Sequence, residues 1–274
     1  MTLVLGFATQ LGFLLLPAFP GTPAAVDTPA VRMEVSQVKA RLAAATESAP
    51  PDLSGTDLSG LDLSGVDFRH ADLTGARLAD AKLVGANLFT CDLTDAVASG
   101  ADFSGANLDG TILRRANLSR ANLAGASLFA TIVEKADLSG ANLAGTRIIG
   151  YLRSVNLSGA SLRNSNSGAD PGNQSMGVMR ATFVGANLSR ADLSGANLYK
   201  ADFSHADLSG AKLGGANLEN ADLIQTDFTG ADLTGTRVAN ANIDGARFSG
   251  ASGVAAMKGL DETRNRDKAT FDAK

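Results

Sequence analysis

Leu or Phe recurs at every fifth position through most of the chain, from Leu53, Leu58, Leu63 and Phe68 onward. Two residues before a centre usually stands Ala, Thr, Val or Cys, and the residue between is mostly Asp, Asn, Arg or Lys. Apolar positions two apart, separated by a polar one, have the alternation of an extended segment, whose successive side chains point to opposite sides. The centre and the residue two before it are therefore predicted to face inward, and the residue between them outward. The two residues after each centre are rich in Ser, Thr, Gly and Arg, which suits a corner, and Gly tolerates the positive φ that some turns need. Each word, such as Ala71-Asp72-Leu73-Thr74-Gly75, is a predicted short side plus a corner. A helix does not fit, because apolar spacings of five and two make no 3.6-residue stripe and the words commonly carry Gly. So short and regular a repeat specifies a solenoid wound as a β-helix.

The words Ala136-Asp137-Leu138-Ser139-Gly140 and Ala191-Asp192-Leu193-Ser194-Gly195 resemble the pentapeptide repeat family, whose consensus is A(D/N)LXX. The resemblance covers roughly residues 51–250. It implies an all-β fold, a right-handed quadrilateral β-helix with four words per coil and Leu or Phe stacked along the axis. The spacing alone implies a coil, but neither its four sides nor its hand. About nine coils at a strand spacing of roughly 4.8 Å make a rod on the order of 45 Å long.

Centres keep one frame from Leu53 to Ile148, with Ala98 and Val133 as smaller substitutes. The frame then loses one residue, since Leu152, Leu157 and Leu162 are centres one step early, and the chain is predicted to bend or tighten at Ile149 and Gly150. Residues 165–180 leave the pattern and Phe183 restores the original frame. The repeat is thus divided into a first segment, 51–164, and a second, 181–250, with an interrupting loop at 165–180. Met176, Val178, Met179 and Arg180 are that loop's candidate contact residues, since irregular loops on rigid scaffolds often carry function. The alternative is an insertion whose methionines fold back on the rod.

An open β-helix exposes unpaired edges and apolar centres at both ends, so covers are expected. Residues 26–50 supply a predicted capping helix at about 29–45, with Asp27 and Thr28 ahead of Pro29 and with Val31, Val35, Val38 and Leu42 at helical spacing. Residues 251–274 supply short predicted helices anchored by Leu260 and Phe271. Residues 1–25 are apolar around Leu3–Leu5 and Leu14–Leu16 and resemble a signal peptide cleaved after Ala24 or Ala25, although no Lys or Arg precedes the apolar run; a membrane anchor is the alternative. The protein is therefore expected to be periplasmic or secreted, with membrane-anchored and cytoplasmic placements as alternatives.

The composition follows from the repeat: 30 Gly, no Trp and 5% aromatic residues in 274. A formal net charge of −4 argues against a basic nucleic-acid binder. Cys91 occupies an inward slot and is read as a buried stand-in for Ala. His70 and His205 lie at corners with no metal-ligand partner at usable spacing, and no nucleotide, nucleophile-elbow, zinc or calcium motif stands out. No catalytic residue, metal or cofactor is expected.

With four words per coil, residues twenty apart stack. One outward column reads Asp52, Asp72, Asp92, Ile112, Ile132; in the second segment Asp202 stacks on Asp222 and Asp207 on Asp227. Such carboxylates are expected to repel, raising their pKa values or attracting a cation or basic partner, unless they bond to turn amides. A second column, one residue after the centre, reads Arg69, Phe89, Asp109, Phe129, Ile149 and, beside Ile112 and Ile132, forms a candidate apolar contact column.

Three functions remain. The first is an exported, non-catalytic scaffold that binds a protein partner or another copy of itself. The second comes from the resemblance: some family members are cytoplasmic DNA mimics acting on DNA gyrase, although Arg77, Lys82 and Arg147 interrupt the slots mimicry needs acidic. The third is an envelope or membrane-docking effector.

Overall fold

The structure, a computed structural model, describes residues 30–46, 49–169 and 179–272. The predicted alternation organises it throughout. Outward residues twenty apart form parallel bridges, and these line up in four ladders that begin at Asp52, Asp57, Asp62 and Asp67. Backbone polarity explains the regularity. The N–H of each centre donates to the carbonyl of the outward residue one coil on, as Leu53 does to Asp72 at 2.8 Å. The N–H of that outward residue donates back to the inward residue before the first centre, Asp72 to Pro51, also at 2.8 Å. Each corner closes with a bond such as Ala71 N–H to Phe68 C=O at 2.8 Å, and its third residue has positive φ, the pattern of a type II turn. Gly supplies most of these positions, but His70 and Lys200 also adopt φ of 63° and 60°.

The interior is a column of Leu and Phe flanked by Ala, nearly all fully buried. Phe183 stacks on Phe203 at 4.7 Å between centroids, and Phe228 on Phe248 at 5.1 Å. Where Thr replaces the inward Ala, its hydroxyl donates to a carbonyl, as Thr111 does to Leu88 at 2.9 Å. Cys91 is buried in the same slot with its thiol directed at the Phe68 carbonyl, and burial pushes its pKa up to about 12.

The outward Asp or Asn has a separate role. Its Oδ1 accepts the amide N–H two residues on, as Asp72 does from Thr74 at 2.9 Å and Asn117 from Ser119 at 3.0 Å. This side-chain turn holds the entry to the corner and accounts for Asp or Asn in the second position of the word. An outward Asn also donates to the residue one coil earlier, giving the run Asn107 to Asn87 to Asp67 at 3.2 and 3.1 Å.

The ends depart from expectation. At the N-terminus, helix α1 spans Val35–Ala43 and not 29–45; its cap is Glu34, whose N–H donates to the Gln37 side chain at 2.8 Å. Asp27, Thr28 and Pro29 lie outside the described residues. Val31 is extended and 69% exposed, because the segment around it pairs with Asp57 in place of joining the helix. Val38, Val35 and Leu42 do face the core and cover the first coil. At the C-terminus the described residues form three 3-10 turns, Val254–Ala256, Leu260–Glu262 and Arg266–Lys268, in place of the predicted helices. The coil continues here with six-residue words: Ser252, Lys258, Arg264 and Thr270 extend the ladders from Asp232, Arg237, Asn242 and Arg247. Each 3-10 turn takes up the added residue. Leu260 and Phe271 pack on the core, and Phe271 stacks on Phe248 at 4.8 Å.

The lost residue after Ile148 has a definite geometry. Strand β1, Ser127–Ile132, pairs in parallel with β2, Arg147–Tyr151, and the register slips between Phe129 and Thr131, leaving Ala130 as a bulge. β2 runs straight where other words turn. Gly150 is pressed on its neighbour so closely that an added Cβ falls 2.3 Å from the Thr131 carbonyl oxygen.

The repeat also outlasts its predicted end. Residues 165–167 still form a word, since Asn166 pairs with both Arg147 and Asn197, while Ser165 and Ser167 point inward at 1% and 0% exposure. The pattern hid this because Ser167 occupies a centre, between Ile148 and Leu198 in its column, and both serine hydroxyls lack a hydrogen-bond partner. Ser167→Leu should therefore raise stability by on the order of 1 kcal/mol in urea unfolding, by filling the column and removing one buried hydroxyl. Gly150→Ala should lower it by roughly 1–3 kcal/mol; an unchanged midpoint for either variant contradicts the packing described.

Candidate functional site

Of the four corners, the one leading from the Asp67 ladder into the Asp52 ladder concentrates the departures from regularity. The bulge at Ala130 and the straight run of β2 lie on it, and the chain leaves it after Ala169 and returns at Met179. Its surface is apolar in the middle. Phe89 is 40% exposed and Tyr151 57%, while Phe129, Ile112 and Ile132 are half-buried. The Asp109 carboxylate accepts the Phe129 N–H at 2.9 Å, which fixes the backbone at the bulge, and the Arg147 guanidinium lies 4.3 Å over the Phe129 ring. The preceding corner, from the Asp62 ladder into the Asp67 ladder, is the opposite in character. Its third residues are Gly65, Gly85, Gly105, Gly125 and Gly145, and an added Cβ at any of them meets nothing within 4 Å.

The apolar column needs one deletion and two additions. Ile149 is 2% exposed and presents no contact surface: it is paired with Phe129 and closed off from solvent, yet it stands outside the core cluster, on the same side of the straight β2 as Arg147 and Tyr151. Tyr151 takes the outward place in the ladder of Ile112 and Ile132. Applying the shifted frame to that column would have found it. Tyr199, half-buried with the Lys200 ammonium 5.3 Å from its ring, is the corner residue after centre Leu198 in the second segment.

Among the loop candidates, Met176 and Val178 lie outside the described residues. Met179 is half-buried. Arg180 is committed to the rod, with its guanidinium 2.8 Å from Asp222 and 3.1 Å from Asp202.

That pairing changes the reading of the acidic columns. Asp202 and Asp222 are neutralised by Arg180, with Arg264 a further 3.6 Å from Asp222. Asp227 is paired with Arg247, and Asp207 accepts the Ser209 N–H at 2.8 Å. Asp72 and Asp92 accept the Thr74 and Thr94 amides at 2.9 and 2.8 Å. Asp52 shifts in the direction opposite to repulsion: the Ser54 hydroxyl, then the Ser54 amide, holds it below the usual carboxylate range. Asp57 and Asp62 are lowered likewise by Ser59 and Ser64. For Asp227 burial pulls upward, but the Thr229 hydroxyl and amide and Arg247 outweigh it. The carboxylates lock corners, and Asp202, Asp222 and Asp227 are in addition paired with arginines.

Two concavities border the same corner. One, of about 640 Å³, lies between the N-terminal cover and the first coil and includes Leu42, Pro50, Pro51, Arg69 and His70. The other, of about 580 Å³, is polar and includes Arg180, Lys200, Asn220, Asp222, Asn240 and Arg264. The His70 ring bonds Thr90 at 2.5 Å and meets the Phe89 ring edge-on at 6.0 Å. Among the described residues there is no group of three or more His, Cys, Asp or Glu able to hold a metal, and no helix long and apolar enough to cross a membrane.

Four ladders of five-residue words, with many corners held by an Asx side chain, define a class of solenoid, and comparison with known proteins names it. The family model "Pentapeptide repeats" matches residues 52–88, 91–128, 121–150, 179–215 and 211–250. The chain belongs to the pentapeptide repeat family. Among solved structures it is similar to HetL, a pentapeptide repeat protein involved in heterocyst differentiation regulation from the cyanobacterium Nostoc sp. strain PCC 7120, at 29% identity, covering 87% of this chain and 100% of that one, with a TM-score of 0.46. A pentapeptide repeat protein from the Arabidopsis thaliana thylakoid lumen is 40% identical over 33% of this chain and 63% of its own, with a TM-score of 0.33. QnrB1, a plasmid-mediated fluoroquinolone resistance protein, is 21% identical over 74% and 76%, with a TM-score of 0.32. No curated protein matches the chain.

The carboxylate shifts set a pH dependence. A lowered folded-state pKa contributes stability that is complete above the unfolded value of about 3.9 and is lost as pH falls through the folded value. The urea midpoint should stay level from pH 7 to about 5 and fall below about pH 4. A midpoint that rises on acidification would restore the picture of mutually repelling columns.

Proposed function

We propose that this protein is an exported, non-catalytic scaffold, a right-handed quadrilateral β-helix whose contact surface for another macromolecule is the corner bearing Phe89, Phe129 and Tyr151. The observation that carries the reading is convergence. Exposed aromatics, a bulge, the interruption of the repeat and two concavities fall on one corner, while the preceding corner carries glycines at 65, 85, 105, 125 and 145, the exposed Val84 and no aromatic side chain. Aromatic residues are favoured anchors in protein interfaces, because they bury large area with few rotatable bonds. Elsewhere among the described residues the exposed large apolar side chains are the isolated valines Val31, Val84 and Val97, and none is aromatic. Self-association through this corner belongs to the same reading.

The gyrase-directed DNA mimic ranks second. Mimicry needs a continuous phosphate-like field, whereas Asp202, Asp222, Asp227 and Asp192 each have an Arg partner. Docking to an envelope surface by way of the aromatic corner ranks third.

The reading is tested by placing a photo-crosslinking phenylalanine at 89, 129 or 151 in the cell of origin, with Ser104 and Ala124 beside the glycine corner as controls. Adducts of defined mass from the first set alone are expected. Equal yields from both sets would remove the corner as the contact surface. The mature N-terminus of the same preparation reads the compartment: a chain starting near Ala25 supports export, and an intact Met1 in the cytoplasm contradicts it.

A further inference from the structure

The polar concavity of about 580 Å³ in the second segment holds side chains that the repeat itself does not use. Arg180, Lys200, Asn220 and Asn240 follow one another at twenty-residue intervals along the corner into the Asp52 ladder, one on each successive coil, about 4.8 Å apart. Ladder asparagines such as Asn117 hold turns, but Asn220 and Asn240 do not. Both stand at the left-handed corner position, with φ of 60° and 59°, and neither side-chain amide has a hydrogen-bond partner among the described residues. Lys200 has no acidic partner among the described residues; its ammonium lies 5.3 Å from the Tyr199 ring centre. The facing wall is fixed by charge pairs. Arg180 donates to Asp222 at 2.8 Å and to Asp202 at 3.1 Å, and Arg264 donates to the Asn240 carbonyl at 3.1 Å and lies 3.6 Å from Asp222. Glu219, beside Asn220, is taken up by Arg237 at 3.2 Å. Arg180, Lys200 and Arg264 thus face two carboxylates, and the unbalanced charge is that of Lys200.

We propose that this groove binds a linear acidic saccharide, a chain of carboxylated sugars lying along the rod axis over Lys200, Asn220 and Asn240. A sugar hydroxyl is donor and acceptor at once, and a side-chain amide offers both in return. The arginine-held Asp222 keeps its place and accepts through its remaining lone pairs, so no internal ion pair has to open. Lys200 supplies the preference for a carboxylate over a neutral sugar, since a bond between charged groups is the stronger one. Every side chain lining the groove is polar or charged, which leaves no recess for the apolar anchor of a peptide. The rungs at Asp202 and Asp222 are already paired on both sides, so no strand can be added here. A corner position repeated at fixed spacing also suits a ligand that is itself a repeat. This site is separate from the aromatic surface proposed above, and either can fail without the other.

Tetragalacturonate, tetramannuronate, the neutral maltotetraose and inorganic phosphate are each titrated into the 15N-labelled full-length protein. Calorimetry reads the affinity, and the side-chain NH2 signals of Asn220 and Asn240 read the place. Saturable binding with shifts of both NH2 pairs is expected from at least one of the two uronates. Maltotetraose should bind roughly tenfold more weakly, as the loss of one charge-assisted bond implies, and phosphate should move neither pair. Lys200→Met, which keeps the stem and removes the charge, should bring the uronate to the affinity of the neutral sugar. The double variant Asn220→Gly, Asn240→Gly fits the left-handed backbone and removes both amides; it should abolish binding while the urea midpoint stays that of the parent. The proposal is overturned by no saturable binding of either uronate, by parental affinity in either variant, or by phosphate saturating the same signals. Heat of binding without shifts at Asn220 and Asn240 overturns it as well.

Discussion

The hydrogen bond from each centre to the outward carbonyl one coil later governs the rest of the structure. A solenoid this thin has little interior besides one column of Leu and Phe with its flanking Ala, so every inward-leaning peptide group must be paired along the axis. That pairing works only if each side returns in register after twenty residues, and the corner must therefore be made in the same way each time. The five-residue word is the shortest sequence that meets these demands. It has two inward residues, one outward residue that holds the turn, and two corner residues, of which the second takes positive φ.

A change in word length is tolerated only with compensation. After Ile148 the missing residue is matched by the bulge at Ala130 in the coil before, and Gly150 allows the two backbones to close. At the C-terminus an added residue is absorbed by a 3-10 turn entered through a left-handed residue, Gly253, Gly259 or Asn265. The same constraint sorts the surface. Asp and Asn at outward positions are tied to amides and neighbouring coils, so their number says little about an external field.

The architecture was legible because its signal is periodic. Inward and outward positions from Leu53 to Phe248 follow from spacing, and so do the buried Cys91 and the tightening at Gly150. What stayed hidden depended on geometry that no single word encodes. Ser165 and Ser167 keep an inward position that their polarity disguises, so the repeat seemed to stop early. Ile149 is buried although the alternation along β2 sets it on the side of Arg147 and Tyr151. Arg180 sits next to the insertion in sequence, but its partners Asp202 and Asp222 lie one and two coils away. The six-residue words after Gly250 carry no Leu or Phe period, and their ladder appears only when Ser252, Lys258, Arg264 and Thr270 are seen stacked. For the apolar corner, Phe89, Phe129, Ile112 and Ile132 were visible from the stacking of residues twenty apart, whereas Tyr151 required the shifted frame.

The account rests on a twenty-residue period that fixes the ladders independently of what each word contains, and deletion tests it most directly. Removing residues 202–221 takes out one full turn and brings Asp222 to the place of Asp202 under Arg180. The shortened chain should fold, keep its circular dichroism spectrum per residue and resist protease as the parent does. A deletion of 202–219, two residues short of a turn, shifts the five-residue frame beyond the junction, and should instead misalign every ladder across it and lose that resistance. Proteolysis of both deletions side by side gives the decision: protection of the first alone is the predicted result, and equal protection or equal digestion of the two would contradict the account.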